Sequence, residues 1–301
     1  MIIFSYNLSP TLEISLKKID KLKSQILLVP LSPLNYHRLV WSATLSHLSG
    51  WAQLSNQPLS PQAIEQILLG PGDNRTSTPF IKKALDYRRA LDHIWYEWTA
   101  NPKSPTTLDL KQLANILGVS FHHEEEVTSL LGYVQTGPVH PAIQSAILHL
   151  YFYPSRLAYL ASLLILYKSG FDLNRLLAME NYWNEHKTDY LKVLQSATRL
   201  GQITLWLEFY CTALVNQMDS LLSRLSQPAP SNHPLSGWQL SDRQKSILSL
   251  IEIPGSTITN QKVQSHFRVS QVTASRDLAK LSTLNFVIPH GHGRSTSYSL
   301  A

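Results

Sequence analysis

Cysteine is almost absent from the chain, which contains only Cys211 among its 301 residues. A single cysteine can form neither an intrachain disulfide nor a cysteine-based zinc site, which suits a reducing cytoplasm. Long apolar runs are absent too. The longest covers residues 157–167 and falls short of the roughly 20 residues of a membrane-spanning helix, so we interpret it as a buried core helix. The first residues lack the basic stretch and apolar run of a secretory signal. We expect a cytoplasmic protein with no membrane partner.

Motifs that carry common enzyme chemistry are also missing. The sequence has no Walker A loop, no Gly-x-Ser-x-Gly nucleophile turn and no dinucleotide fingerprint. A run of metal-capable side chains occurs at 122–126, but its adjacent histidines point to different faces of a helix and lack the i, i+4 spacing of His-Glu-x-x-His. We interpret this run as a solvated helix start with its acids in the first turn, and His140 and His149 as packing residues. We predict no metal ion and no cofactor.

Acidic residues are too few to balance the basic ones, and the imbalance is uneven along the chain. There are 26 Lys and Arg against 20 Asp and Glu, a formal charge of +6. From Ser241 to Ala301, seven basic residues face three acidic ones, a surplus of +4 that leaves +2 for the first 240 residues. A polyanion would therefore bind most favourably at the C-terminal end.

A proline-rich stretch divides the chain. Residues 226–240 contain three prolines in a polar context that sustains neither helix nor strand. Ahead of this stretch, apolar residues recur at helical spacing and alternating strand-like runs are scarce. We predict an all-helical domain of about seven or eight helices over 1–225, a linker over 226–240 and a second domain over 241–301. Helix starts are indicated by the Ser60-Pro61 pair and by Thr107.

The C-terminal segment predicts three helices followed by a hairpin, the layout of a winged helix. Ser241 and Gln244 have the spacing of a capping box, and Thr259 can cap a second helix over Asn260–Phe267. After a tight turn at 268–269, a third helix would begin at Ser270. Its apolar residues available for the core are Val272, Leu278, Leu281 and Leu284. Residues 286–288 and 297–300 predict two strands, joined by a turn at 290–293 whose glycines supply positive backbone angles.

The third helix carries side chains suited to DNA, because a helix in the major groove reads base edges while nearby cations bind phosphates. The candidate DNA-binding residues are Ser270, Gln271, Thr273, Ser275, Arg276, Lys280 and, in the wing, Arg294. The run Val269-Ser270-x-x-Thr273-Ala274-x-Arg276-Asp277-Leu278-x-x-Leu281 resembles the recognition helix of winged-helix regulators of the DeoR type. Winged helices also serve as protein–protein modules, but the basic surplus favours double-stranded DNA.

The helical domain resembles a Fic (Fido) domain in several dispersed segments. Ser42-Ala43-x-x-Ser46-x-Leu48-Ser49-Gly50 is similar to that family's N-terminal inhibitory helix. His140-Pro141-Ala142-x-x-x-Ala146-x-x-His149-x-x-Phe152 resembles the helix that leads into its active site. Further similarity follows in the family's order and spacing, at 59–64, 86–91, 163–170 and 203–209. The resemblance implies a mainly α protein, with an all-helical Fic-like domain followed by a small α+β winged-helix domain.

Residues that the Fic family needs for nucleotide transfer are missing here. Members that transfer AMP carry a His-Pro-Phe-x-x-Gly-Asn-Gly-Arg loop, whose histidine is a general base and whose glycine-rich turn holds phosphates. In this chain Phe152 is followed by Tyr153-Pro154-Ser155-Arg156 and then directly by the next helix. Ser49 replaces the inhibitory glutamate, and no docking flap precedes His140. The resemblance therefore implies a degenerate domain, in which Arg156 is a helix-start residue rather than a phosphate ligand.

These features predict a non-enzymatic DNA-binding protein, a transcriptional regulator that binds duplex DNA as a homodimer. The degenerate Fic-like domain would supply dimerisation or a surface for a protein partner. Two alternatives stay open. One is a divergent Fic protein nucleotidyltransferase (AMPylator) that uses Arg156 with a remote acid. The other is a scaffold whose two domains both bind proteins.

Overall fold

The computed structural model describes residues 4–31, 33–69, 78–98, 103–136, 139–226, 240–251, 256–284, 286–291 and 296–300. Helices dominate these residues. They are α1 (Pro10–Leu27), α2 (Pro33–Leu54), α3 (Pro61–Leu69), α4 (Pro79–Trp98), α5 (Thr107–Leu117), α6 (Glu124–Thr136), α7 (Pro141–Phe152), α8 (Leu157–Lys168), α9 (Glu180–Glu185), α10 (Lys187–Leu200), α11 (Thr204–Ser226), α12 (Asp242–Ser249), α13 (Asn260–Phe267) and α14 (Gln271–Thr283). Three short strands accompany the last helices: β1 (Ile258–Thr259), β2 (Val287–His290) and β3 (Ser297–Leu300).

The predicted number of helices was too small. Seven or eight were expected ahead of residue 226, whereas the described part of that region forms eleven α-helices. One reason is helix length: α9 has six residues, fewer than two turns, so no apolar period can show in its sequence. His186 separates α9 from α10, and no proline or glycine lies between the two helices to indicate the break.

Side-chain caps explain where several helices begin. The Ser9 hydroxyl accepts a hydrogen bond from the Leu12 amide at the start of α1 (3.2 Å), and the predicted cap Ser60 accepts one from Ala63 (3.2 Å). The start predicted at Thr107 is confirmed, because α5 begins at that residue. Thr106 is the cap of α5, and both its amide (2.7 Å) and its hydroxyl (2.6 Å) donate to the Asp109 carboxylate. Each cap satisfies backbone donors that the first helical turn leaves without partners.

The chain forms two compact units. The first comprises Met1–Leu31, Ala43–Leu59 and Ser77–Pro228, and the second comprises Ser32–Ser42, Ser60–Thr76 and Ala229–Ala301. The second unit thus combines α12–α14 with α3, which packs against α14. Residues 227–239 of the predicted linker lie outside the described residues, so its bounds stay a prediction.

The core of the first unit is built around α7 and α8, which pack against each other. Ten of the twelve residues of α8 are buried, which confirms the buried core helix expected from the apolar run. Helix α11 packs on α7 and also on α1, and contributes Trp206, Tyr210 and Leu214 to the core. The connection between these two buried helices, residues 153–156, is itself half-buried or exposed.

The second unit has the predicted winged-helix layout. Strand β3 lies between β1 and β2 and is antiparallel to both, with Val287 opposite Leu300 and Ile258 opposite Tyr298. Ser241 caps α12 through the predicted capping box with Gln244, and Thr259 caps α13. Among the described residues of 241–301, the buried apolar side chains are Ile247, Ile251, Ile258, Val263, Ala274, Leu278, Leu281, Leu284, Phe286 and Val287. The predicted helices and hairpin of this unit are therefore confirmed.

Candidate nucleic-acid interface

Helices α13 and α14 are joined by the tight turn that the sequence predicted. Arg268 follows α13 with φ +51°, in the left-handed region, and the Val269 amide donates back to the carbonyl of Gln264 (3.2 Å). Ser270 then caps α14, because its hydroxyl accepts a hydrogen bond from the Thr273 amide (3.2 Å). The two helices and this turn form a helix-turn-helix.

One side of α14 is exposed and the other is packed into the core. Ala274, Asp277, Leu278 and Leu281 are buried. The exposed residues of the first two turns recur at intervals that place them on a single face. We call this face, which consists of Gln271, Val272, Ser275 and Arg276, the recognition face. It carries an amide, a hydroxyl, a guanidinium and one apolar side chain.

The structure places the predicted DNA-binding residues in three groups. Gln271, Ser275 and Arg276 belong to the recognition face. Ser270 is exposed at the helix cap, whereas Thr273 and Lys280 are half-buried. Arg294 lies outside the described residues. The expectation that Val272 joins the core was wrong, since its side chain is 59% exposed; the core side of this turn is taken by Ala274.

Asn260, the first residue of α13, was missed by the sequence analysis. Its side-chain amide donates to the Ser275 hydroxyl (2.8 Å) and to the Gln271 carbonyl (3.4 Å), and its oxygen accepts from the Gln264 side chain (2.5 Å). Asn260 thereby orients a hydroxyl on the recognition face from the neighbouring helix. Its position at the helix start was predicted, but nothing in the local sequence indicates this contact.

A buried carboxylate fixes α14 against α12. Asp277 is only 5% exposed, and it accepts hydrogen bonds from Arg243 Nε (2.6 Å) and from the Gln244 amide (2.8 Å). The bond to Asp277 raises the pKa of the Arg243 guanidinium. Buried charges are stable when paired in this way. Arg243, one of the seven basic residues of 241–301, therefore pairs with a carboxylate inside this unit.

The wing is formed by β2 and β3. His290 at the end of β2 pairs through Nε2 with the Ser299 hydroxyl on β3 (2.8 Å). Gly291 has φ +80°, the positive angle expected for this turn. The rest of the turn, 292–295, lies outside the described residues, so the placement of Arg294 in the wing stays a prediction.

In the first unit, the connection that would hold a Fic catalytic loop has four residues, 153–156, between α7 and α8. Arg156 stands directly before α8. Its two terminal nitrogens donate to backbone carbonyls, Nη1 to Lys83 (3.2 Å) and Nη2 to Leu117 (2.7 Å). Partial burial lowers the pKa of this guanidinium. Arg156 thus connects α8 with α4 and the end of α5.

The two histidines of the Fic-like segment have structural contacts. His140 caps α7, with Nδ1 accepting from the Ala142 amide (3.1 Å). His149 is fully buried, its Nε2 lies 2.8 Å from the Tyr190 hydroxyl, and burial lowers its pKa to about 3. A neutral imidazole enclosed by aromatic rings cannot reach a substrate hydroxyl, so the geometry of His149 agrees with the expected packing role. His140 is half-buried, and its Nε2 lies 3.2 Å from Asp20 Oδ1, so its contacts are those of a helix cap.

A second buried carboxylate, Glu180, was not anticipated. It is 3% exposed, and it pairs with Nδ1 of His47 (2.8 Å) and accepts from the Tyr87 hydroxyl (2.6 Å). Close by, α2 approaches the start of α9 at Gly50, where an added Cβ would lie 2.7 Å from the Asn181 amide nitrogen. The segment that resembles an inhibitory helix therefore packs tightly against the fold through a glycine and a histidine.

Other kinds of site have little support in the described part of the chain. None of its residues form a group of three or more His, Cys, Asp or Glu side chains placed to hold a metal ion. Within the same residues, no helix combines the length and apolarity needed to cross a membrane. A polar cavity of about 400 Å³ lies between α2, α9 and α11, lined in part by Ser46, Asn181 and Asn216. Arg156 does not line it.

Comparisons with known proteins agree with this description. Residues 243–300 match the DeoR-like helix-turn-helix domain, which suggests a DNA-binding regulator. A crystal structure of a Fic family protein from Desulfovibrio desulfuricans G20 has a similar fold, with a TM-score of 0.59 and 15% sequence identity over 98% of this chain and 97% of that one. No curated protein sequence matches the chain. The protein is therefore mainly α, with a Fic-like helical fold and a C-terminal DeoR-like helix-turn-helix domain.

Proposed function

We propose that this protein is a transcriptional regulator that binds double-stranded DNA in a sequence-dependent way, with α14 in the major groove. The observation that carries this proposal is the recognition face, on which Gln271, Ser275 and Arg276 are exposed together at the start of the second helix of a helix-turn-helix. Amides and guanidinium groups in that position pair with purine edges, and cations around them bind phosphates. The C-terminal basic surplus supplies the long-range attraction.

We also propose that the Fic-like domain does not transfer nucleotides. The four-residue α7–α8 connection has no glycine-rich turn to hold phosphates. Arg156, the remaining counterpart of the family arginine, donates to two backbone carbonyls instead. The domain is then available for homodimerisation or for a protein partner, which suits a helix-turn-helix because two-fold dimers bind paired half-sites.

The DNA-binding proposal is tested by selecting duplexes from a random library with the full chain and measuring affinity at several salt concentrations. We expect tighter binding of the selected duplex than of a scrambled one, with log K falling by about 0.9 per phosphate contact for each unit of log salt. Arg276→Ala should cost about 1–3 kcal/mol of binding free energy. Arg199→Ala, an exposed arginine at the end of α10, is the matched control and should bind as the wild type does.

Two results would contradict these proposals. Failure to bind any duplex would favour the scaffold, in which both domains bind proteins. Transfer of label from ATP in the presence of magnesium, abolished by Arg156→Ala, would favour the nucleotidyltransferase. Dimerisation is tested separately by light scattering after size exclusion, where a monomer at micromolar concentration would contradict it.

A further inference from the structure

The recognition face contains one apolar side chain, and its exposure is unusual for this unit. Val272 is 59% exposed, more than Leu250 at 42% or Leu300 at 40%. Single exposed apolar residues are common on protein surfaces, so exposure alone assigns no role. The position of Val272 adds the second observation, since it lies in the first turn of α14 among polar residues that face outward with it.

The local structure holds this side chain in a fixed direction. A valine in a helix has essentially one χ1 rotamer, and the first turn of α14 is fixed by the Ser270 cap. Asn260 further ties the backbone at Gln271 and the side chain of Ser275 to α13. Val272 therefore presents its two methyl groups as a preformed apolar surface on the recognition face.

We propose that Val272 reads the 5-methyl group of a thymine in the major groove. This inference rests on the proposed DNA binding. The base edges in the major groove carry hydrogen-bonding groups, and the thymine methyl is the apolar feature among them. A valine can neither donate nor accept a hydrogen bond. Packing it against a polar base edge would displace the water bound there without replacing the lost hydrogen bond. Contact between the valine and the thymine methyl removes both from water.

The test uses the full chain and the duplex that it selects from a random library. Each thymine of that duplex is replaced singly by deoxyuridine, which keeps every hydrogen-bonding group and lacks only the methyl. At one thymine per half-site, we expect the wild type to bind about fourfold more weakly to the uridine duplex, the equivalent of about 0.8 kcal/mol for one buried methyl group. Val272→Ala should bind the thymine and uridine duplexes within a factor of about 1.5 of each other.

A matched control separates this contact from a general effect of trimming an apolar residue. Leu250→Ala removes an exposed apolar side chain outside the recognition face, and it should keep the fourfold preference for thymine. Because Val272 is exposed, its alanine variant should retain the wild-type circular dichroism spectrum. If a duplex is selected but no uridine replacement weakens binding, or if the preference persists in Val272→Ala, the inference is overturned while DNA binding stands. If no duplex is selected, the proposed function itself is wrong.

Discussion

Lowering the pH from 7 to 5 is expected to destabilise the first unit through His149. This imidazole is fully buried, and burial lowers its pKa to about 3 from an ordinary 6.5. The unfolded chain therefore binds a proton at this residue below about pH 6.5, whereas the folded protein leaves it neutral until about pH 3. The stability that the neutral imidazole contributes is fully present above pH 6.5 and is lost as the pH falls from 6.5 towards 3.

The size of the effect follows from the difference between the two pKa values. One proton taken up only by the unfolded state changes the free energy of unfolding by about 1.4 kcal/mol per pH unit. At pH 5, about 1.5 units below the unfolded pKa, His149 should cost about 2 kcal/mol relative to pH 7. The aromatic rings around it leave no room for solvent to stabilise the charge: Trp183 and Trp206 have ring centroids 4.6 and 5.3 Å away.

Urea unfolding at pH 7 and pH 5, followed by far-ultraviolet circular dichroism, measures this loss. The control is His149→Gln, which cannot titrate and keeps an amide to pair with the Tyr190 hydroxyl. Because the other histidines are common to both proteins, the decrease in unfolding free energy should be about 2 kcal/mol smaller in the variant. Equal decreases in the two proteins would show that His149 is protonated in the folded state or accessible to water, and would refute its assignment as a buried packing residue.

Two further changes test contacts that hold the elements together. Asp277→Ala removes two charge-assisted hydrogen bonds between α14 and α12 and should cost about 3 kcal/mol, seen as faster amide hydrogen exchange in those two helices; unchanged exchange would contradict the role of this carboxylate. Gly50→Ala places a methyl 2.7 Å from the Asn181 backbone and should lower stability by about 1–3 kcal/mol in thermal unfolding. In Gly132→Ala, the control in α6, the methyl meets nothing within 4 Å and should stabilise the helix slightly; equal effects in both would contradict the close approach at Gly50.

The second unit was well predicted because its signals are local. Ser241, Thr259 and Ser270 are short polar residues directly before helices, and each caps the helix that follows. The hairpin was indicated by two short runs that flank a glycine-containing turn, and both runs are strands. Signals of this kind involve residues a few positions apart, so the sequence contains them in full.

Contacts between distant residues left no such signal. His47 and Glu180 are 133 positions apart, and neither residue has a neighbour that indicates a buried pair. Val272 was placed in the core because it is apolar, although its offsets of six and nine residues from Leu278 and Leu281 turn it away from their side of the helix. The actual buried face contains Ala274 and Asp277 instead. Ala274 lies four and seven residues before Leu278 and Leu281, so helical spacing alone places it on their side. The burial of Asp277, in contrast, depends on its partners Arg243 and Gln244 on α12.

Three arginines show why the number of basic residues sets only an upper limit on the number of phosphate contacts. Arg156, Arg243 and Arg276 contribute equally to the net charge, yet their partners differ. Arg156 donates to two backbone carbonyls, and Arg243 donates to the buried Asp277. Arg276 alone of the three is exposed on the recognition face. A guanidinium already bonded within the fold releases no counterion when DNA binds, so the salt dependence of binding should be shallower than the seven basic residues of 241–301 would give.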